Sequence, residues 1–349
     1  MRNHIVYQKI GNNNNQQNLG IQVLRTILSF WIVCFHCLKT DNKILITIIF
    51  KRPFHAPTFM LISFYFLLKN LQAKNIIKIK GRIERLLIPY FVWPTFFWIL
   101  SNISYFFFKN NRYNKFLSLY DLICQFIIGR NILGVFWFQF TLIFLTIFFF
   151  IICFTIKSNF IFLLQLFCAL SYLLQYSNFN YNFFYKYNQI IILSIGYLAE
   201  IFPLAVTGLT LSSFNIIEKI KVKRNKAIFF SIIILYFLFK YEIFAYLNGF
   251  TYRGILFNFG ATFLFIFFSL LPIYKIKYNF IIIFIKIFTN FTQGVYCLHG
   301  FVKYYLQMKI SFVQQKKIQG CILIYLTSYL ISFIGYKLFK STKIKYLFN

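Results

Sequence analysis

The first apolar stretch of the chain contains two ionisable side chains, Arg25 and His36. They are eleven residues apart, which in an α-helix is three turns plus about 20° and roughly 16 Å along the axis. Both therefore lie on one helix face, with a cation near one end and a titratable base near the other. A histidine can accept a proton near neutral pH, and a guanidinium pairs with oxyanions. The spacing suits a site reached from both sides of a bilayer; the alternative is that both side chains reach to the polar interfaces.

Further ionisable side chains lie within or beside apolar stretches, where a charge costs a few kcal/mol or more and therefore suggests function. These candidates are His55, Arg82, Glu84, Arg85, Glu200, Lys286 and His299. The seven cysteines lie mostly within apolar segments. We assign them no disulfide and no metal, because a small helix residue is the expected role there.

The composition shows which elements must hold these residues. Apolar residues make up 60% of the 349 residues and charged residues only 12%, with 52 Phe. A soluble domain carries about a quarter charged residues, so too little polar surface is present to coat one. Apolar runs such as 132–156 and 227–247 have the length of about 20 residues that crosses a hydrocarbon core.

The apolar runs predict an all-α, polytopic membrane helix bundle with about ten transmembrane helices. The predicted spans are 21–38, 44–68, 86–108, 132–156, 159–176, 189–212, 227–247, 254–274, 279–302 and 319–339. The second run is interrupted by Lys51, Arg52 and Pro53, so we expect its membrane part to begin near Pro57.

The net charge of +31 follows from Lys and Arg that flank these runs. Such residues anchor helix ends and set orientation, so we expect no nucleic-acid partner. The two densest basic clusters, 69–85 and 219–226, both face the cytoplasm if the N-terminus does. The chain then divides into a polar cytoplasmic tail (1–20), a membrane domain (21–339) and a basic cytoplasmic C-terminal tail (340–349).

Five segments between residues 23 and 300 form an ordered set of motifs. They are Val23-Leu24-Arg25 with Val33-Cys34-Phe35-His36; Phe54-His55-Ala56-Pro57-Thr58-Phe59 with Ile62-Ser63-Phe64; Arg82-Ile83-Glu84-Arg85-Leu86-Leu87-Ile88-Pro89-Tyr90; Phe136-Trp137-Phe138-Gln139; and Gly294-Val295-Tyr296-Cys297-Leu298-His299. In this order they resemble the membrane-bound acyltransferase 3 family, whose members acylate sugars and other acceptors at the membrane. The second motif usually reads Ser-Gly in that family, where this chain has Ser63-Phe64.

The resemblance implies transfer of an acyl group, most often acetyl, from cytoplasmic acyl-CoA to a carbohydrate hydroxyl. His36 is then the base that deprotonates the hydroxyl, either directly or in a route through an acyl-histidine. Arg25 then positions the donor by binding a CoA phosphate; the alternatives are that it holds the acyl carbonyl or orients the active geometry. Arg82 and Arg85 bind acyl-CoA or form a gate at the cytoplasmic mouth, although 74–85 is also an ordinary positive-inside cluster. Acyl-CoA is a co-substrate, and we expect no bound cofactor and no metal.

Other residues are candidates for the acceptor site or its pocket. His55 and His299 fall on the same predicted side as His36, so either could act as the base or contact the sugar; an interfacial position is the alternative. Trp137 could stack on a sugar ring or belong to an interfacial aromatic belt.

Two of the candidate ionisable residues are carboxylates, Glu200 and Glu84. Glu200, with Pro203, marks an irregular sixth span and is a candidate pocket residue, unless it is a protonated or arginine-paired core carboxylate. We expect Glu84 to pair with a basic residue one helical turn away.

Two other functions fit the same charges. A transporter or flippase of a lipid-linked sugar also needs charges along its path, but it gives no reason for the Arg25/His36 spacing. A structural subunit of a polysaccharide-assembly complex would keep the fold without turnover.

We expect the bacterial inner membrane as the location. The expected partners are the lipid bilayer, acyl-CoA, a carbohydrate acceptor (a surface polysaccharide or its lipid-linked precursor) and polysaccharide-assembly proteins. The membrane part would complete the transfer alone or with a separate partner.

Overall fold

The structure is a computed structural model in which helices follow one another along the chain. It describes residues 19–38, 55–72, 76–107, 116–129, 132, 136–155, 160–176, 189–247, 255–272, 279–307, 310–315 and 318–348. Within these ranges the regular elements are helical, and no strand is present. The predicted all-α membrane bundle is therefore confirmed.

The helices largely coincide with the predicted apolar runs. They are α1 (Leu19–Cys37), α2 (His55–Gln72), α3 (Ile76–Phe107), α4 (Leu119–Ile128), α5 (Trp137–Thr155), α6 (Phe160–Tyr176), α7 (Gln189–Ser213), α8 (Ile216–Lys221), α9 (Arg224–Leu247), α10 (Ile255–Leu270), α11 (Asn279–Asn290), α12 (Thr292–Gln307), α13 (Ser311–Gln314), α14 (Ile318–Leu338) and a short 3-10 helix, η1 (Lys343–Leu347).

Four of these helices are long and apolar enough to cross a membrane: Leu19–Cys37, Ile76–Phe106, Trp137–Thr155 and Ile318–Leu338. Shorter apolar helices occupy Ala56–Leu68, Ile201–Ser213 and Asn258–Leu270. Large apolar side chains such as Ile103, Ile151 and Leu330 are about half exposed on the outside of the bundle. Apolar surface of this kind faces lipid, so the chain is an integral membrane protein; the number of spans, about ten, stays a prediction.

The third, fourth and ninth predicted spans differ from the helices of the structure, the third because α3 already begins at Ile76. The second run, 44–68, is described from His55, where α2 begins, close to the expected start of its membrane part near Pro57; residues 39–54 lie outside the described residues. The ninth is divided between α11 and α12 at Phe291. Threonine hydroxyls compete for backbone carbonyls at this break: Thr292 Oγ1 donates to Thr289 O at 3.1 Å. Lys286, on α11, is exposed rather than enclosed in the bundle.

The backbones of α2 and α7 approach closely because Gly208 has no side chain. A Cβ at Gly208 would lie 2.5 Å from the carbonyl oxygen of Leu61 and 3.1 Å from the amide nitrogen of Tyr65. Small residues permit such contacts between membrane helices, where packing is the main source of attraction. This contact fixes the middle of α2, which includes the second motif.

Helix α4 was not predicted, and it runs beside α3 in the opposite direction. Trp98 Nε1 donates to Leu117 O at 2.8 Å, and the Tyr90 hydroxyl donates to Phe126 O, also at 2.8 Å. Trp98 and Tyr90 are eight residues apart on α3, so α4 runs about 12 Å along the axis of α3. The segment is therefore not a simple surface loop.

Local signals begin and end α4. Ser118 and Asp121 form a reciprocal capping box at its first turn, which satisfies free amide groups. Gly129 ends the helix with a left-handed φ of 75°, a conformation that favours glycine. A Cβ at Gly129 would also lie 2.6 Å from Cβ of Phe140, so the turn is packed against the start of α5.

Helix α5 then continues along α3 towards the arginines. Gln139 Nε2 donates to Leu86 O at 3.1 Å, and farther along Arg82 Nε donates to Thr146 Oγ1 at 3.3 Å. The fourth span thus begins at Trp137 rather than at 132, near the level where α4 ends. Helices α4 and α5 thus follow α3 one after the other, and both run in the direction opposite to it.

Candidate active site

The two histidines of the first and last motifs meet where α1 packs on α12. The ring centroids of His36 and His299 are 5.2 Å apart and their planes differ by 30°. His299 is fully buried, whereas His36 is half-buried. A group between these helices would therefore reach His36 more easily than His299.

The surroundings of His299 fix its tautomer. Its Nδ1 lies 2.7 Å from the carbonyl oxygen of Tyr296. A carbonyl only accepts hydrogen bonds, so Nδ1 carries the proton and Nε2 has a lone pair. That Nε2 is buried and has no hydrogen-bond partner among the described residues. His299 is therefore held as a neutral ring with a basic nitrogen.

A lysine lies beside the histidines. Lys303 Nζ donates to the backbone carbonyl of His36 at 2.7 Å. Lys303 follows His299 by four residues, so both lie on one face of α12. The sequence analysis did not select Lys303; the available signal was this spacing from His299.

Arg25 lies near the other end of the α1–α12 contact. Its Nη2 donates to Thr292 Oγ1 at 3.2 Å, and the side chain is half-buried. Arg25 and His36 thus both lie on the face of α1 that meets α12. Thr292 is the first residue of α12, so the break at Phe291 places this hydroxyl against Arg25.

Arg82 connects three helices through its guanidinium. Nη2 donates to Ser63 Oγ at 2.7 Å and Nη1 donates to Ser63 O at 3.2 Å, while Nε donates to Thr146 Oγ1. The guanidinium also lies 5.7 Å from the ring centroid of Phe64. The residue that departs from the Ser-Gly pattern therefore stacks under the arginine, where a cation–π contact favours its charge.

Arg85 is exposed beside these two arginines. It acts electrostatically on both Arg25 and Arg82. Its backbone carbonyl accepts a hydrogen bond from Gln293 Nε2 at 2.8 Å. Pro89, four residues later, has no N–H for that carbonyl, so Gln293 takes the place of the missing helix bond and joins α12 to α3.

The ion pair that Glu84 forms is not the local one expected from the sequence. Its Oε1 lies 2.9 Å from Nζ of Lys343, in η1, rather than on a basic residue one turn away. The hydrogen bond to Glu84 raises the pKa of the Lys343 ammonium above its ordinary value. The three arginines have no carboxylate partner in the part of the chain that the structure describes.

Residues 343–348, within the predicted C-terminal tail, are folded against the bundle. Trp93 Nε1 donates to Leu347 O at 3.2 Å, and the Trp93 and Phe348 ring centroids are 5.9 Å apart. The Phe348 ring also fills the space beside Gly335. Residues 343–348 therefore join α3 to α14 close to the arginines.

The family model described as "Acyltransferase domain" matches residues 18–337. The chain belongs to the acyltransferase 3 family. The match begins just before α1 and ends in α14, so it includes every motif described above. Comparison with curated proteins and with solved structures finds no match.

In this acyltransferase the Trp-Phe motif contacts the last motif. Trp137 is half-buried at the start of α5 and packs against Phe138, whose ring centroid is 5.3 Å from that of Tyr296. Cys297 Sγ donates a long hydrogen bond to Gln139 Oε1 at 3.9 Å. The fourth motif therefore supports the helix that carries His299.

Two candidates of the acyltransferase are placed only by their backbone. His55 is the first residue of α2, and Glu200 lies in α7 three residues before Pro203. Their side chains lie outside the described residues, so their roles stay predictions. Among the side chains that are described, no cluster of three or more His, Cys, Asp or Glu could hold a metal ion.

Proposed function

We propose that this membrane acyltransferase is an O-acyltransferase, which moves an acetyl group from cytoplasmic acyl-CoA to a carbohydrate hydroxyl. The observation that carries the proposal is the arrangement along α1. A group of three arginines lies near one end, and a histidine pair with an adjacent lysine lies near the other.

The arginine group supports a phosphate-bearing donor. Arg25 and Arg82 are held by hydroxyl and carbonyl groups, which leave their positive charge uncompensated. Arg85 adds a third charge that is exposed to solvent. A guanidinium presents a rigid fork of donors that matches phosphate oxygens, so the nucleotide end of acyl-CoA fits this position.

The distance between Arg25 and His36 along α1 supports the binding of the acyl thioester of the donor near the histidines. Arg25 and His36 are separated by about 16 Å along the helix axis. The pantetheine arm of CoA is an extended chain of similar length. With its phosphates at the arginines, the donor would therefore bring its acyl carbonyl near His36.

His36 is the better placed base of the two histidines. It is half-buried, whereas His299 is fully buried behind it with Nδ1 bound to its own helix. In the proposed step the acceptor hydroxyl gives its proton to His36 as its oxygen attacks the thioester carbonyl. The His299 ring packs on the His36 ring and holds it against α12.

We also propose the membrane, the acceptor and the partners of the reaction. We place the protein in a bacterial inner membrane with both termini in the cytoplasm, because the clusters 69–85 and 219–226 then obey the positive-inside rule. The acceptor is then a surface polysaccharide or its lipid-linked precursor, presented on the side of His36. Polysaccharide-assembly proteins are the expected partners.

The test is transfer from radiolabelled acetyl-CoA in membranes that contain the protein at matched amounts. Label should enter a carbohydrate fraction, and His36→Ala and Arg25→Ala should each abolish the transfer. Lys286→Ala, at an exposed position on α11, should leave it unchanged. Movement of a lipid-linked sugar without any acyl-CoA dependence, or transfer that is indifferent to His36, would contradict the proposal in favour of a flippase.

A further inference from the structure

The proposed reaction needs a positive group that the arginines cannot supply. Attack on a thioester carbonyl places negative charge on the carbonyl oxygen, and a fixed donor or cation at that position is often the largest single contribution to catalysis. Arg25 lies about 16 Å from His36 along α1, too far to reach a carbonyl at the histidine. His299 Nε2 carries a lone pair, which would repel the charge.

Lys303 has the required place and charge. Its Nζ is anchored 2.7 Å from the carbonyl oxygen of His36, at the end of α1. The ammonium has three N–H donors, so two remain after this bond. No carboxylate among the described residues pairs with it. The half-buried side chain therefore offers an uncompensated charge beside the backbone of the proposed base.

We propose that Lys303 is a catalytic residue whose ammonium stabilises the oxyanion formed when the acceptor hydroxyl attacks the acyl thioester. This inference rests on the proposed function. The proposal assigns a role in the reaction to a residue outside the five motifs. It also means that different cations act near the two ends of α1. The arginines hold the donor phosphates, and Lys303 acts on the reacting carbonyl.

The step balances with His36 and Lys303 as the protein groups. A bond forms between the acceptor oxygen and the acyl carbon, and the hydroxyl proton moves to His36. The carbonyl electron pair moves to its oxygen, next to Lys303. When the carbonyl re-forms, the carbon–sulfur bond breaks, and the CoA thiolate leaves and takes the proton from His36. The products are an O-acyl ester and CoA, and both protein residues return to their starting states.

A structural role for Lys303 predicts different behaviour from a catalytic one. Lysine often binds the last carbonyls of a helix and stabilises its C-terminus. Gln at 303 can still donate a hydrogen bond to the His36 carbonyl but has no charge. Lys303→Gln therefore removes the cation with the least disturbance of α1, and Lys303→Arg keeps both properties.

The experiment measures turnover and the KM for acetyl-CoA in membranes containing wild type, Lys303→Gln or Lys303→Arg, with the thermal stability of each purified protein. We expect Lys303→Gln to lower kcat about a hundredfold, the loss typical of one oxyanion donor. Its KM for acetyl-CoA and its Tm should stay near wild type. Lys303→Arg should retain most of the activity.

Other outcomes overturn the proposal. Wild-type turnover in Lys303→Gln, or a change confined to KM, excludes transition-state stabilisation. Equal loss of activity and of Tm in both variants assigns Lys303 to the structure of α1. If wild-type membranes transfer no label from acetyl-CoA, the proposed function itself fails, and that result is visible before any variant is measured.

Discussion

The arginines of this acyltransferase are held by neutral groups. Arg82 binds the hydroxyls of Ser63 and Thr146, and Arg25 binds the hydroxyl of Thr292. Hydroxyl partners orient a guanidinium without cancelling its charge, whereas a carboxylate would do both. The site is thus positioned and remains attractive to an anion.

Thr146→Ala tests this positioning. Hydrogen bonds to charged groups contribute about 1.5–3 kcal/mol, so loss of the Thr146 hydroxyl should raise the KM for acetyl-CoA about tenfold with little change in kcat. Thr155→Ala is the matched control, because Thr155 is exposed on the same helix and its hydroxyl donates to the carbonyls of Ile151 and Ile152 in that helix. Equal effects of the two substitutions would show that Arg82 does not depend on Thr146.

Among the elements, α12 connects the arginine end of α1 with its histidine end. Its first two residues contact two of the arginines: Thr292 binds the Arg25 side chain and Gln293 binds the Arg85 carbonyl. One turn and two turns later on the same helix come Tyr296 and His299. A displacement of α12 would therefore disturb both ends at once.

The contact between α2 and α7 predicts a large effect at one glycine. Gly208→Ala would place a Cβ 2.5 Å from the Leu61 carbonyl and separate the two helices. Overpacking of this kind costs about 1–3 kcal/mol, so the purified variant should unfold at a lower temperature. Gly300→Ala should have almost no effect, because nothing lies within 4 Å of its added methyl group. Equal melting temperatures for both variants would exclude the close approach.

On the scale of the whole molecule, the sequence predicted most of the helices but not how their ends meet. Long apolar runs form helices because a bilayer offers no other partner for the backbone, so the predicted bounds lie close to the observed ones. Helix α4 was missed because its place depends on hydrogen bonds from Tyr90 and Trp98, on another helix. Lys303 was missed because it meets His36 only after α1 and α12 pack together.

The uncompensated arginines also affect the stability of the whole fold. Arg25, Arg82 and Arg85 repel one another in the absence of an anion, and a ligand that binds only the folded state stabilises it. CoA should therefore raise the Tm of the purified protein, and dephospho-CoA should raise it less. The difference should shrink at high salt, because ions screen these charges. An unchanged Tm with CoA would place the donor elsewhere.

Helix α4 has a consequence for how the protein is made. Ten residues are too few to cross the hydrocarbon core, so insertion first delivers the segment between α3 and α5 to one face of the membrane. The segment can fold back only when the Tyr90 hydroxyl and the Trp98 indole are in place to receive it. Because α3 precedes α4 in the chain, both donors are already present when α4 is synthesised, so α4 can settle against α3 before the later helices are inserted.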